Sequence, residues 1–91
     1  MITTKATCTR YYESPSGEVR YVFFKPEEKF TFLEGQFMML AREYNGKMIK
    51  RPYSIATTNL DLQERNEIGF IIKKASEYGL SAYFTQDIQV G

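Results

Sequence analysis

Short segments of alternating apolar and polar residues recur along this chain, and clusters of turn-forming residues separate them. Alternation with a period of two is typical of half-buried strands and predicts five of them, over residues 3–12, 18–25, 37–42, 48–56 and 67–74. Ser14-Pro15-Ser16-Gly17 and Asn45-Gly46 lie between successive strands, and the Asn-Gly pair accepts the positive φ angles of a tight hairpin. The pattern therefore predicts antiparallel hairpins.

The remaining segments contain less regular patterns. The polar stretch 59–66 is predicted to be a connecting loop, whereas Leu80, Tyr83 and Phe84 recur at helical spacing and predict one short helix. Ile88 and Val90 alternate as at the start of a sixth strand. This content favours an all-β fold, a six-stranded antiparallel Greek-key barrel truncated at its last strand, because closure removes exposed strand edges. An edge left open would let two copies pair as a homodimer.

Length and charge narrow the range of functions. A chain of 91 residues has room for one hydrophobic core, so we expect a single domain over residues 1–91. Its 12 Lys and Arg residues against 11 Asp and Glu give a net charge of +1, which disfavours nucleic acid and anionic membrane surfaces as partners. No apolar run has transmembrane length and the N-terminus lacks a signal-peptide pattern, so cytoplasm is the expected compartment.

The chain has one cysteine, Cys8, and no histidine. It therefore forms no internal disulfide and no cysteine and histidine metal cage, and it has no Ser-His or Cys-His pair for nucleophilic catalysis. We expect Cys8 to be a small buried hydrophobe rather than a nucleophile. An organic cofactor would supply the chemistry that these side chains lack.

The segment Arg51-Pro52-Tyr53-Ser54 is the most informative in the chain. A period of two puts Arg51 and Tyr53 on one face of a strand, where the guanidinium would bind a phosphate and the phenol ring would stack on a flat ligand. Ser54 would point to the opposite face unless a bend at Pro52 brings its hydroxyl round. Without further context, a solvated Arg51 and a Tyr53 in the barrel wall are the favoured interpretation of these four residues.

Three elements in fixed order resemble the FAD-binding domain of the ferredoxin-NADP reductase family. Phe32-Leu33-Glu34-Gly35-Gln36-Phe37 is similar to the family pattern F-x-P-G-Q-F, with Glu34 in the place of proline. The segment 51–57 is similar to R-x-Y-S-[IL]-A-[ST]. The segments 71–73 and 81–84 resemble the strand and the G-x-x-S-x-Y-L phosphate loop that follow. The resemblance covers nearly the whole chain.

The resemblance implies a role for each matching residue. Arg51 would bind the phosphate bridge of the flavin dinucleotide, Tyr53 would pack against the isoalloxazine ring, and Ser54 would hydrogen-bond near the reactive ring nitrogen. Ser81 would hold a phosphate. These roles are expectations from the family, not consequences of the spacing alone.

Four further residues are implied as cofactor contacts. Ile72 and Lys73 would offer backbone and side-chain contacts along the flavin, and Gly79 and Leu80 would present amide groups at the start of the short helix. Tyr78 stands where the family has glycine, with Gly79 one place later. A side chain at that position would crowd the phosphate loop or change its path.

The function implied is that of an NAD(P)H-dependent flavoprotein oxidoreductase, in which a nicotinamide delivers hydride to FAD and electrons pass to a one-electron acceptor protein. FMN is the alternative cofactor. No G-x-G-x-x-G follows a predicted strand, so we expect the NAD(P)-binding domain elsewhere in a full-length protein or on a partner subunit. The chain alone would bind flavin without turning over NAD(P)H.

Two other functions remain open at this point. A small barrel of the oligonucleotide-binding type would use tyrosine and phenylalanine as stacking platforms, and an aromatic content of 15% is compatible with it, although the near-neutral charge is not. A non-catalytic subunit of an electron-transfer complex would hold flavin only when docked to its partner.

Overall fold

The computed structural model describes residues 3–75 and 79–91, in which five strands form two antiparallel sheets. The first sheet has the order β1-β2-β5, with β1 over Ala6–Glu13, β2 over Val19–Pro26 and β5 over Ile68–Lys73. The second sheet is the hairpin of β3 (Phe37–Tyr44) and β4 (Lys47–Ser54). Helix α1 spans Asn59–Arg65, and helix α2 (Leu80–Ala82) leads directly into a π-helical segment, Tyr83–Asp87.

The two sheets do not close into the predicted six-stranded barrel. They meet at a single bridge between Ile55 and Phe70. Within the described ranges, residues 88–91 form no sixth strand, although the Gly91 amide donates a hydrogen bond of 2.9 Å to the Cys8 carbonyl. The register of β1 shifts between Cys8 and Arg10. Such a bulge interrupts the hydrogen-bond ladder between β1 and β2, and it lies beside Cys8, where the chain end approaches β1.

The core lies under the inner face of the first sheet. Because side chains alternate along β2 and β5, five of them point inward. These five are almost fully buried: Val22, Phe24, Ile68, Phe70 and Ile72. Cys8 is buried beside them, as expected, and burial raises the pKa of its thiol. Tyr21 and Phe23 cover the outer face of β2 with stacked rings 4.2 Å apart. β2 therefore carries apolar side chains on both of its faces.

The prediction of a loop over 59–66 is wrong, because helix α1 occupies most of it. A capping box starts the helix: the Asp61 amide donates to Thr58 Oγ1, and the Thr58 amide donates to Asp61 Oδ2, each at 3.1 Å. Asn66 ends it in the left-handed conformation at φ 54°. Leu62 is the one fully buried side chain of the helix, and it anchors α1 to the core. No helix in the described part of the chain is long and apolar enough to cross a membrane.

Gly69 allows β5 to pack closely under the aromatic pair of β2. A Cβ atom at this position would lie 2.7 Å from Cε1 of Tyr21 and 3.0 Å from Cε1 of Phe23. We predict that Gly69→Ala lowers the free energy of unfolding by about 1–3 kcal/mol, because overpacking forces neighbouring side chains from their rotamers. Urea denaturation measures the change. Ile71→Ala on the same exposed face is the control, and a Gly69→Ala loss no larger than the control's would contradict the packing argument.

An ion pair on the outer face joins β1 to the start of β5. The Arg10 guanidinium donates to both carboxylate oxygens of Glu67, at 2.7 and 3.1 Å, and the Thr9 hydroxyl donates to the same carboxylate at 3.0 Å. The hydrogen bonds from Arg10 hold the pKa of Glu67 below its usual value. The contact spans the bulge in β1 and stabilises it.

The lowered pKa of Glu67 predicts a specific loss of stability in acid. Its contribution is present above the unfolded-state pKa, near 4.5, and is lost as the pH falls through the lower pKa of the folded state. We expect the stability of the wild type to fall more steeply between about pH 5 and pH 3 than that of Glu67→Gln. Urea midpoints measured across this range test it, with the exposed Glu64→Gln as control. Parallel curves for wild type and Glu67→Gln would refute the expectation.

Candidate functional site

The β3–β4 hairpin positions the residues that the sequence singled out. Asn45 and Gly46 form the turn at φ 51° and 79°, and the pairing then runs without a bulge to the end of β4. Arg51 lies opposite Leu40, and Tyr53 lies opposite Met38. Because alternate residues share a face, Arg51 and Tyr53 project from the same side of the hairpin, about 7 Å apart along the strand.

Tyr53 is held by the core on one side. Its half-buried ring meets Phe84 edge-on, with centroids 6.0 Å apart and planes at 82°. Burial raises the pKa of the Tyr53 phenol, and the nearby positive charge of Arg51 opposes this only partly. The phenol is therefore neutral at physiological pH, and the ring has a fixed orientation with part of its surface accessible.

Arg51 is exposed on the inner face of the hairpin. Its Nη1 donates to the carbonyl of Lys50 at 2.7 Å, and no carboxylate within residues 3–75 and 79–91 lies at ion-pair distance from it. The remaining guanidinium donors are available for an anion. A forked guanidinium of this kind suits a phosphate group.

Ser54 is not brought to the same face. It lies opposite Phe37 and is exposed on the outer side of the hairpin. The bend considered at Pro52 does not occur, because Pro52 pairs in register with Met39 and the ladder continues through Ser54. The hairpin thus brings together on one face two of the three candidate site residues of segment 51–54, Arg51 and Tyr53.

Ile72 and Lys73 lie on β5, beyond the point where the two sheets separate. The Ile72 side chain is fully buried in the core opposite Arg20, so only its backbone could contact a ligand. Lys73 is exposed opposite Val19. In the described residues, backbone pairing between β4 and β5 stops at the Ile55–Phe70 bridge, so the two strands diverge from there.

The segment that begins at Gly79 packs against β4 through α2. Gly79 has a φ of 96° and precedes the helix, and the Leu80 side chain is buried in the core. The Ser81 hydroxyl accepts a hydrogen bond of 3.0 Å from the Ala75 amide, and within residues 3–75 and 79–91 it donates none itself. Tyr78, the predicted departure from the family loop, lies outside the described residues.

Sequence reasoning missed Arg20, a charged residue in the core beside the site. Its guanidinium is ion-paired with Glu13, lies 4.0 Å from the centre of the Tyr11 ring and donates to the carbonyl of Phe84 at 3.5 Å. These contacts attach the π-helical segment to β2. The signal was present in the alternation of β2, which puts Arg20 on the inner face with Val22 and Phe24.

In the part of the chain that the structure describes, the two sheets meet at one bridge, and one hairpin face carries an arginine without an ion-pair partner beside a partly buried tyrosine. A guanidinium next to an aromatic ring suits a nucleotide with a planar ring. Comparison with known protein families agrees, since the family model for the oxidoreductase FAD-binding domain matches residues 11–91. The chain belongs to this FAD-binding family of the ferredoxin reductase type. This places it with flavin-binding proteins rather than with oligonucleotide-binding barrels. No curated protein and no solved structure matches it significantly.

Proposed function

We propose that the inner face of the β3–β4 hairpin binds FAD and that the chain is the flavin-holding part of an NAD(P)H-dependent oxidoreductase. The observation that carries the proposal is the common face of Arg51 and Tyr53, where a guanidinium with no ion-pair partner among the described residues and a ring packed against Phe84 lie two residues apart on a regular strand. A flavin nucleotide has a phosphate and a planar ring to match them. Membership of the FAD-binding family supports the same cofactor.

The residues present fit such a ligand. Arg51 offers charge-assisted donors to the phosphates, and Ser81 offers a hydroxyl hydrogen from the segment that packs on β4. Tyr53 offers a neutral aromatic surface whose tilt is set by Phe84. Lys73 is exposed at the end of β5, beyond the Ile55–Phe70 bridge where the two strands diverge. The donors favour an anion with an attached flat ring over either part alone.

The chain's own contribution is to bind and orient. When bound, the flavin supplies the chemistry, accepting hydride from a nicotinamide and releasing electrons singly. Tyr53 would pack against one face of the isoalloxazine ring. The NAD(P)-binding domain and the electron-acceptor protein belong to the proposal as the partners of this site. FAD rather than FMN is the proposed cofactor.

We predict that Arg51→Ala weakens FAD binding more than Ser54→Ala. A charge-assisted bond contributes about 1.5–3 kcal/mol, or roughly 10-fold to 150-fold in affinity, against about 1 kcal/mol for a neutral one. Because Ser54 lies on the outer face, Ser54→Ala should reduce the affinity for FAD by less than this. Quenching of FAD fluorescence on titration with each purified variant measures the dissociation constants.

Lys50→Ala is the matched control, because it removes one positive charge from the adjacent residue on the opposite face of β4. It should bind FAD within about twofold of the wild type at moderate ionic strength, where exposed charges are screened. Equal losses for Arg51→Ala and Lys50→Ala would show that charge alone matters and would refute the face assignment. Absence of quenching by the wild type at high micromolar protein would refute the proposed function itself.

A further inference from the structure

Arg20 is the one charged residue, within residues 3–75 and 79–91, whose side chain is buried. Arg10 and Arg65 form their ion pairs at the surface instead. A buried ion pair adds little net stability, because removing both charges from water costs about as much as their attraction gains. A hydrophobic side chain of similar size would fill the space without that cost. Stability alone therefore does not account for a charge at this position.

The two Nη atoms of Arg20 have different partners. Nη2 donates to the carboxylate of Glu13, the residue directly opposite on β1. Nη1 donates to the Phe84 carbonyl at 3.5 Å, and at this distance a positive charge in the protein interior still attracts a carbonyl dipole. The Tyr11 ring covers the guanidinium at 4.0 Å from its centre. One side chain thus connects the first sheet to the backbone of the π-helical segment.

The π-helical segment Tyr83–Asp87 is held by side chains as well as by its own backbone. The Ile88 amide donates to the carbonyl five residues earlier at 2.9 Å, the spacing that defines a π-helical turn. Thr85 is buried, and its hydroxyl donates to the Ser81 carbonyl at 2.8 Å. π-Helical turns are rare and occur frequently at functional sites. Thr85 fixes the start of this turn, and Arg20 fixes its middle.

Phe84 transmits the position of this segment to the hairpin. Its ring is buried and meets the Tyr53 ring edge-on, with centroids 6.0 Å apart and planes at 82°. Such a pair depends on distance and tilt, because the positive edge of one ring faces the negative face of the other. A shift of the Phe84 backbone would therefore change the tilt of Tyr53. One carbonyl contact and one ring contact connect Arg20 with the phenol on the hairpin.

We infer that Arg20 is a positioning residue of the flavin site: it holds the Phe84 backbone and thereby sets the tilt of the Tyr53 ring on which the isoalloxazine packs. This inference rests on the proposed function, because it concerns how the same site keeps its binding geometry. Arg20 is buried, so it acts through Tyr53 rather than by contact with the ligand. Its replacement should affect flavin binding only while the Tyr53 ring is present.

A double-mutant cycle on FAD binding tests this dependence. Arg20→Met is made in the wild type and in Tyr53→Leu, and free FAD is measured by absorbance after ultrafiltration, so the readout does not depend on fluorescence quenching. We expect Arg20→Met to weaken FAD binding about fivefold to tenfold in the wild type but less than about twofold in Tyr53→Leu. Methionine fills the space without a charge, and Glu13 is exposed enough to be solvated alone.

Arg10→Met is the matched control. Arg10 also lies in the first sheet, pairs with a carboxylate, that of Glu67, and covers an aromatic ring at 4.0 Å, that of Phe23. It lies on the outer face of the sheet, away from Phe84. We expect Arg10→Met to bind FAD within about twofold of the wild type, and far-ultraviolet circular dichroism checks that each variant is folded.

Phe84→Leu gives a second route to the same test if Arg20→Met does not fold. It keeps the arginine and its carboxylate partner but removes the ring that contacts Tyr53. We expect Phe84→Leu to weaken FAD binding in the wild type and to have less than about twofold effect in Tyr53→Leu, as for Arg20→Met.

Three outcomes would overturn the inference while leaving flavin binding intact. Equal losses of affinity in both backgrounds would show that Arg20 acts on the fold as a whole. Unchanged binding by Arg20→Met would show that the tilt does not depend on it. Binding by Tyr53→Leu as tight as that of the wild type would show that the ring does not contact the flavin. If the wild type binds no FAD, the proposed function fails and the inference fails with it.

Discussion

The contact between Tyr53 and Phe84 determines which side of the hairpin faces the core. Phe84 is buried and also meets Phe24 of β2, with ring centroids 5.8 Å apart, so an aromatic chain runs from the first sheet through the π-helical segment to β4. Because side chains alternate along a strand, a Tyr53 ring turned toward Phe84 turns Arg51 the same way. The hairpin cannot reverse its faces without withdrawing the tyrosine from the core, so a packing contact orients polar groups some distance away.

Phe84 is held in place in turn by a buried charge. Arg20 is almost fully buried, and a guanidinium in that position is stable only with close partners, which Glu13, the Tyr11 ring and the Phe84 carbonyl supply. Nε of Arg20 has no hydrogen-bond partner within the described residues. The hydrogen bonds to the Phe84 carbonyl and to Glu13 come from the two Nη atoms. A hydrophobic residue could fill the same space, but it could not bond to the backbone of the π-helical segment. The Arg20 guanidinium therefore positions the π-helical segment as well as stabilising the contact.

The sequence was informative where short-range pattern decides the structure. Period-two alternation and Asn45-Gly46 predict the hairpin because both act within a few residues, and the face shared by Arg51 and Tyr53 follows from them. Helix α1 was missed because its apolar anchor is the single residue Leu62, and its start depends on the capping pair Thr58 and Asp61. Barrel closure depends on pairing between distant segments, which local alternation does not encode, whereas the outward position of Ser54 is the one that alternation along β4 gives.

A chain with a net charge of +1 can still bind a doubly charged cofactor, because local pairing matters more than the total. Carboxylates neutralise Arg10, Arg20 and Arg65, each in a structural contact between or within elements. The hairpin's inner face carries Arg42 and Arg51, which have no such partner within residues 3–75 and 79–91. Its outer face carries Lys50, a cation that a solvent-exposed strand edge tolerates at little cost. The placement of the acidic residues, rather than their number, therefore leaves positive charge on the inner face of the hairpin.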